Sequence, residues 1–422
     1  MKIRYLLPLL FALPLVVFLF SGCLKDQCTS TRTFVRFDPV YKTVAECRAE
    51  PVFEGPRPLK NPGKIYYRGN YLFINEFQEG IHVIDNSNPS APQPIAFWRI
   101  PGNVDMAVKG DYLYADQYMD MLSIRISNLL QPALVCRREN EFSLMGFDPY
   151  RGYIVNYERS ENTEVVPCNE GGNNTWFRRG EAIFIDAADG LFNSNNAQGA
   201  TGALSQAGVS GSFARFALTG SYFYTVDHRN LRSYDVSNPA CPVKLDETVA
   251  GWDIETIFPW KNYLFLGARN GVFVFNNSNP AKPVHSTTFW HATGCDPVVC
   301  DDKYAYVTVH DGTTCNGDIN RLLVVGIEFL PQTAQLASYD MKRPMGLSVS
   351  DTHLFLCDDG LKVFDKTNPT QLKQIAHVKN LDSYDVILLD DTHLLLIGKD
   401  GFFQFDVTNP AQPVEISRIL VQ

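Results

Sequence analysis

The chain has no surplus of positive charge. Its 37 lysines and arginines face 46 aspartates and glutamates, a formal net charge of −9. Without excess cations it has little to neutralise a phosphate backbone, which argues against nucleic acid as a partner. The eight histidines form no His-x-His or His-x-x-x-His pair, and the ten cysteines form no Cys-x-x-Cys, so the spacings of a structural zinc site are missing. There is no Gly-x-Ser-x-Gly elbow, His-Glu-x-x-His, phosphate loop or Gly-x-Gly-x-x-Gly fingerprint. That weighs only weakly against an enzyme, because repeat folds assemble sites from separate repeats. Beyond residue 20 no apolar run is long enough to span a bilayer.

What is present belongs to a folded protein. Of 422 residues, 45% are hydrophobic and 12% aromatic, enough to bury a core. The 29 glycines and 25 prolines are scattered, which favours many short strands joined by turns. The length suits two or three domains or one repeat array.

Residues 1–22 read as an export signal. Lys2 and Arg4 precede the 16 uncharged residues Tyr5–Phe20, a signal core rather than a membrane span. Phe20-Ser21-Gly22-Cys23 resembles the lipobox of bacterial lipoproteins, with Phe20 where Leu is usual. The resemblance implies cleavage and acylation (palmitate) of Cys23. An ordinary signal peptide cut elsewhere and an uncleaved anchor are the alternatives. Losing Lys2 and Arg4 takes the 37 basic residues to 35 against 46 acidic ones, a net −11, so acyl chains rather than charge would hold the chain to a membrane. Lys25-Asp26 resembles the sorting signals of some surface-exposed lipoproteins. The expected location is the outer membrane, with the cell surface favoured over the periplasmic face. Residues 23–61 read as a tether and docked segment, extended at its end by Pro56, Pro58 and Pro62.

A phrase then recurs. Ile84-Asp85-Asn86-Ser87-Asn88-Pro89 returns at Tyr234–Pro239, Phe275–Pro280, Phe364–Pro369 and Phe405–Pro410, with degenerate copies at Ile124–Asn128, Ile185-Asp186 and Val325-Gly326. A second phrase, a strand opened by an aromatic or His, starts at Tyr71, Tyr112, Tyr153, Tyr222, Tyr263, Tyr304, His353 and His393. Two phrases with one period of about 40–45 residues mark the four-stranded blades of a propeller. The last copy predicts strands over 384–389, 393–398, 402–406 and 414–420. Ser or Thr and Asn bond back to the local backbone and Pro ends the strand, so the Asp of the phrase is a turn-former.

These residues resemble the LVIVD repeat family, with Asn409-Pro410-Ala411-Gln412-Pro413 as its turn. Gly63–Tyr66, Ile100–Asp105 and Tyr112–Asp116 are similar to a group of propeller lipoproteins of Gram-negative bacteria. The resemblance implies a fold and a place, and no catalytic residues. The fold class expected is all-β: a single closed propeller over residues 62–422, of eight four-stranded blades. The alternative has seven, with one degenerate copy decorating the ring.

The period is interrupted at Tyr157–Glu181 in copy three and His310–Arg321 in copy six, both between second and third strands. Those turns share a face with the blade-to-blade links, which marks it as the working face; neutral loop growth is the equal alternative. A third insertion, Leu191–Gly211, reads as a flexible loop. Asp311, Asp318 and Asn320 are oxygen donors without the calcium-loop spacing, so a solvated polar loop is the better reading.

Strand geometry suggests disulfides between neighbouring blades, Cys136–Cys168 and Cys315–Cys357, with Cys295–Cys315 as the rival for the second and with Cys300, Cys241 and Cys28 unpaired. Counting back from the second-strand starters places Asp105, Arg215, Glu255, Asp296, Met345 and Asp385 at the mouth of the central channel, beside Asp253 and His291. Like charges around a narrow channel would attract a bound cation, so the rim is expected to hold a metal ion or a cationic or polyhydroxyl group. Arg215 would pair one acid or grip an anionic part of the ligand. The competing reading has each acid capping backbone N–H groups at a strand start. Beyond that cation no cofactor is expected. The function expected is a binding or interaction scaffold, a monomer anchored in the membrane by lipid and meeting a surface protein or glycan. An enzyme of hydrolase or lyase type at the channel mouth is the alternative.

Overall fold

Apolar runs bounded by Asp, Asn, Gly and Pro become strands in the computed structural model. It describes residues 29–144, 146–167, 176–179, 182–186, 209–210, 212, 214–291, 297–310 and 319–422. The last copy folds as Ser383–Leu388, His393–Gly398, Gly401–Asp406 and Val414–Leu420, within one residue of the sequence reading. The strands fall into eight sheets, one for each repeat. Two compact units hold them.

The larger unit comprises residues 39–157 and 191–422. Copies one, two and four to eight each give an antiparallel sheet in chain order. In all seven the ladder between the third and fourth strands slips by one residue near the middle. Such bulges raise the local twist that lets blades splay around an axis. The second and third strands carry the core, with Leu72, Phe73, Ile74, Leu113, Phe223, Leu264, Leu354 and Leu394 all buried.

The blades pack in a cycle. The innermost strand of copy two (Met106–Lys109) lies against that of copy four (Phe216–Thr219), and the order continues through copies five to eight. Copy eight returns to copy one, where Ile387, Leu395, Ile397 and Phe402 share a core with Ile65, Leu72 and Ile74. Leu59 and Val421 form a parallel bridge, and Gln422 N–H donates to the Leu59 carbonyl at 2.9 Å. Contacts thus link seven of the sheets in turn, and with the sheet of copy three the total of eight fits the eight repeats. Copy three departs from the pattern. Its first two strands, Gly146–Asp148 and Gly152–Pro167, pair across a short turn. Its last strands fall in the smaller unit, residues 1–38 and 158–190, where Ala182–Asp186 pairs with both Phe34–Phe37 and Trp176–Arg179.

The turn phrase behaves as its chemistry demands. Asp85, Asp235, Asn276, Asp365 and Asp406 each accept the backbone N–H two residues on, at 2.7–2.9 Å. Hydrogen bonds from that Ser or Thr hold the four aspartates below the usual carboxylate range. The proline has a further use. Pro239, Pro280 and Pro369 carbonyls accept Tyr114, Tyr224 and Tyr339 hydroxyls of the preceding blade at 2.9–3.0 Å. Pro89 accepts Ser417 and Gln404 across the closure.

Outside the blades, Val52–Glu54 adds an edge strand to Phe97–Arg99, and Val209–Ser210 pairs with Tyr66–Tyr67. Thr43 and Glu46 form a capping box on the short helix Val44–Cys47, each satisfying an N–H of the other's backbone. Among the described residues no helix is long and apolar enough to cross a membrane.

The cysteines correct the expected pairing. Cys136 is bonded to Cys241, with α-carbons 5.4 Å apart, and not to Cys168. The reason is the direct packing of copy two on copy four, which brings the turn after Pro239 to the copy-two fourth strand. Cys241 is thus bonded where it was expected free. Cys357 is a buried free thiol beside Met345 and Leu361 in an apolar cluster, so the Cys315–Cys357 pairing is corrected too. Cys300 is also buried and free. Cys23, Cys28, Cys168, Cys295 and Cys315 lie outside the described residues.

Candidate functional site

The face carrying the links and the second-to-third turns is organised by acids at the ends of second strands. Asp116 accepts Val104 and Asp105 N–H at 2.7 and 2.8 Å. Asp358 accepts Lys342 and Arg343 N–H at 3.1 and 2.6 Å, and Lys362 Nζ at 2.5 Å. Glu76 does the same for Lys60 and Asn61 and also meets His82 at 2.7 Å. Each of these buried carboxylates pins the link that enters its own blade, because backbone N–H groups there have no ladder partner.

At the innermost strands a buried charge network crosses the blades. Lys64 of copy one meets Asp105 of copy two at 2.6 Å, with both side chains only 4% exposed. Asp105 also accepts the backbone N–H of Arg215 at 2.6 Å and of Met106 at 2.7 Å. The Arg215 guanidinium bridges to Asp116 at 2.8 Å. Burial lowers the Lys64 pKa against the pull of Asp105, and it raises that of Asp116 against the pull of Arg215. The network's charges therefore balance, two cations on two carboxylates.

Asp385 completes the set from copy eight. Its Oδ1 accepts Ser212 N–H at 2.9 Å, the Ser212 hydroxyl at 3.0 Å and Val386 N–H at 2.9 Å. Leu347 N–H of copy seven donates to the same hydroxyl at 2.7 Å. The other carboxyl oxygen, Oδ2, is buried without a hydrogen-bond partner. Burial pushes the Asp385 pKa up to about 8, against the Ser212 hydrogen bonds and the Lys64 charge. A neutral carboxyl there spares the fold an uncompensated buried charge.

Of the two readings of these acids, the contacts of Asp105 and Asp385 fit the one in which they hold backbone N–H groups. Asp105, Arg215 and Asp385 lie at or beside the innermost strands, where Lys64 compensates Asp105, Asp116 compensates Arg215, and, among the described residues, Asp385 holds only the Ser212 and Val386 donors. This is strand capping extended across blades. Met345 is buried in an apolar cluster, Glu255 is half-buried at the start of the copy-five blade, and Asp296 lies outside the described residues. Among the described residues no group of three His, Cys, Asp or Glu side chains is placed to hold a metal ion. The sequence reading missed Lys64 and Asp116. Counting back seven from Tyr71 reaches Lys64; Asp116 had only its place at a strand end.

The same face presents aromatic side chains. Trp252, on the link between copies four and five, and Trp290, which ends the copy-five fourth strand, are each 65% exposed. The backbone beneath is fixed. Ala250 and Gly251 N–H both donate to the Arg229 carbonyl, and Arg269 N–H donates to the Asp253 carbonyl. A Cβ on Gly251 would lie 2.7 Å from the Phe273 ring, so only glycine fits. Phe273 in turn meets Trp290 edge-on at 5.8 Å. The Arg229 guanidinium covers Trp252 at 3.8 Å, a cation–π arrangement.

Together these features define a repeat β-propeller whose link face is pinned and partly aromatic. The LVIVD repeat matches residues 63–95 and 102–138, which cover most of copies one and two. No curated protein matches in sequence. Among solved structures, a protein from Lactobacillus plantarum is similar in fold, with TM-score 0.53, 10% identity, and coverage of 88% of this chain and 96% of that one. BamB from Moraxella catarrhalis (0.48, 9%, 80% and 81%) and the periplasmic gluconolactonase PpgL from Pseudomonas aeruginosa (0.49, 12%, 88% and 97%) are similar too.

Proposed function

We propose that the chain is an outer-membrane lipoprotein, signal peptide removed and Cys23 acylated, with residues 23–61 as tether and docked segment and the propeller displayed at the cell surface as a binding scaffold. The observation that carries the binding reading is the pair of exposed indoles, Trp252 and Trp290, on a backbone already fixed by hydrogen bonds. Rigid exposed tryptophans beside arginine are the composition of an interaction hot spot. A surface protein or a glycan is the partner class this chemistry suits. The lipid anchor rests on the charged start, the 16-residue uncharged run and Phe20-Ser21-Gly22-Cys23. An enzyme at the channel mouth is not favoured, since the acids there are engaged in holding strands. Cys23→Ala tests the anchor: fatty-acid label should be lost and the protein should leave the membrane fraction. Label retained by that variant overturns it.

A further inference from the structure

Between the links of copies seven and eight, on the same face as the indoles, lies a cleft of about 500 Å³. Its volume falls in the range of small-molecule sites. The walls are fixed. Asp358 holds the Lys342 and Arg343 backbone, and the Ser383 hydroxyl reaches from copy eight to the Gly360 carbonyl of copy seven at 2.8 Å.

The charges in the cleft run against those of the chain. Lys342, Arg343 and Lys379 line it with only Asp359 and Asp382 opposing them, in a protein of net charge −9. Lys342 is taken by Asp359 at 2.5 Å. Arg343 and Asp382 sit 3.8 Å apart, a loose ion pair. Lys379, exposed at the rim, makes no ion pair among the described residues. Among its lining residues the cleft thus carries one more positive than negative charge, beside oxygen acceptors on Asp382 and Asn380 and an apolar surface from Leu381 and Met345.

We propose that this cleft binds a small hydroxylated organic anion, its carboxylate or phosphate held at Lys379 with Arg343 beside it and its hydroxyl groups donating to Asp382 and Asn380. The site is separate from the indole platform and goes beyond the scaffold reading. A mixed-charge cleft with one surplus cation selects an anion and orients its polar body.

The test is calorimetric titration of the purified propeller with glucuronate, glucose 6-phosphate and uncharged glucose. One or both anions should bind at least tenfold more tightly than glucose; glucuronate alone points to a carboxylate and glucose 6-phosphate alone to a phosphate. Lys379→Gln should weaken that binding at least tenfold with an unchanged melting temperature, and Lys379→Glu should abolish it. Trp252→Ala should leave it unchanged, which separates this site from the indole platform. No binding of either anion, glucose binding as well as they do, or affinity indifferent to Lys379→Gln overturns the proposal.

Discussion

Cys136 and Cys241 lie 105 residues apart in sequence and share a disulfide. The bond joins copy two to copy four at the point where copy three leaves the series. Closing a loop of that length removes much chain entropy from the unfolded state, typically about 2–4 kcal/mol of stability. Cys136→Ser/Cys241→Ser should lower stability to urea by about that amount. Added reductant should destabilise the parent chain by that much more than it does the double variant, as read by urea titration.

Lys64 and Asp105 form a buried pair, so removing one partner strands the other. Lys64→Met should cost about 3–5 kcal/mol, while Lys64→Met/Asp105→Asn should recover a large part of that loss. Urea denaturation of the two variants decides it. Equal losses in both would show that the charge of Asp105 is not what Lys64 compensates.

Asp385 gives the ring a pH dependence of definite sign. Its folded pKa of about 8 lies above the ordinary 3.8. Between those values the folded state keeps a proton that the unfolded state has released, so stability falls as pH rises through that window. Lys64, whose pKa burial lowers, contributes a slope of opposite sign, so the comparison must be made against a variant. From pH 5 to 8 the melting temperature of the parent should fall relative to that of Asp385→Asn. Parallel curves would mean that Asp385 ionises as it does in water.

Trp252 and Trp290 are exposed and should matter little to folding. Trp252→Ala/Trp290→Ala should stay within about 1 kcal/mol of the parent, since surface changes rarely exceed ~0.5 kcal/mol each. Glycan-array signal and cell-surface cross-linking should both diminish in the variant. If every contact persists undiminished, the working surface lies elsewhere.

The blade pattern was legible because each copy repeats the same local chemistry. Tyr71, Tyr112, Tyr222, Tyr263, Tyr304, His353 and His393 open second strands where the sequence put them, and Tyr153 follows one residue inside its own. The order in which the sheets touch was harder to read. It depends on copy two meeting copy four, a contact between Met106–Lys109 and Phe216–Thr219 that no spacing encodes. That one contact also decides the disulfide, which is why Cys168 looked like the neighbour of Cys136. Counting along strands reached Asp105, Arg215 and Asp385, at or beside the innermost strands. Their partners escaped it because Lys64 lies one blade away from Asp105, and Ser212 lies 173 residues from Asp385. Charge compensation is a property of the assembled ring and not of any one repeat.

Tyr114, Tyr224, Tyr339 and Ser417 all donate to a proline carbonyl on the following blade. The recurring Asn-Pro turn is therefore half of a joint whose other half sits in a different repeat. Neither half can drift alone, since a turn of another shape would withdraw the carbonyl from its neighbour's hydroxyl. Sameness among the copies is then the mark of a common carpentry, and the face meant for a partner should be sought where the copies differ.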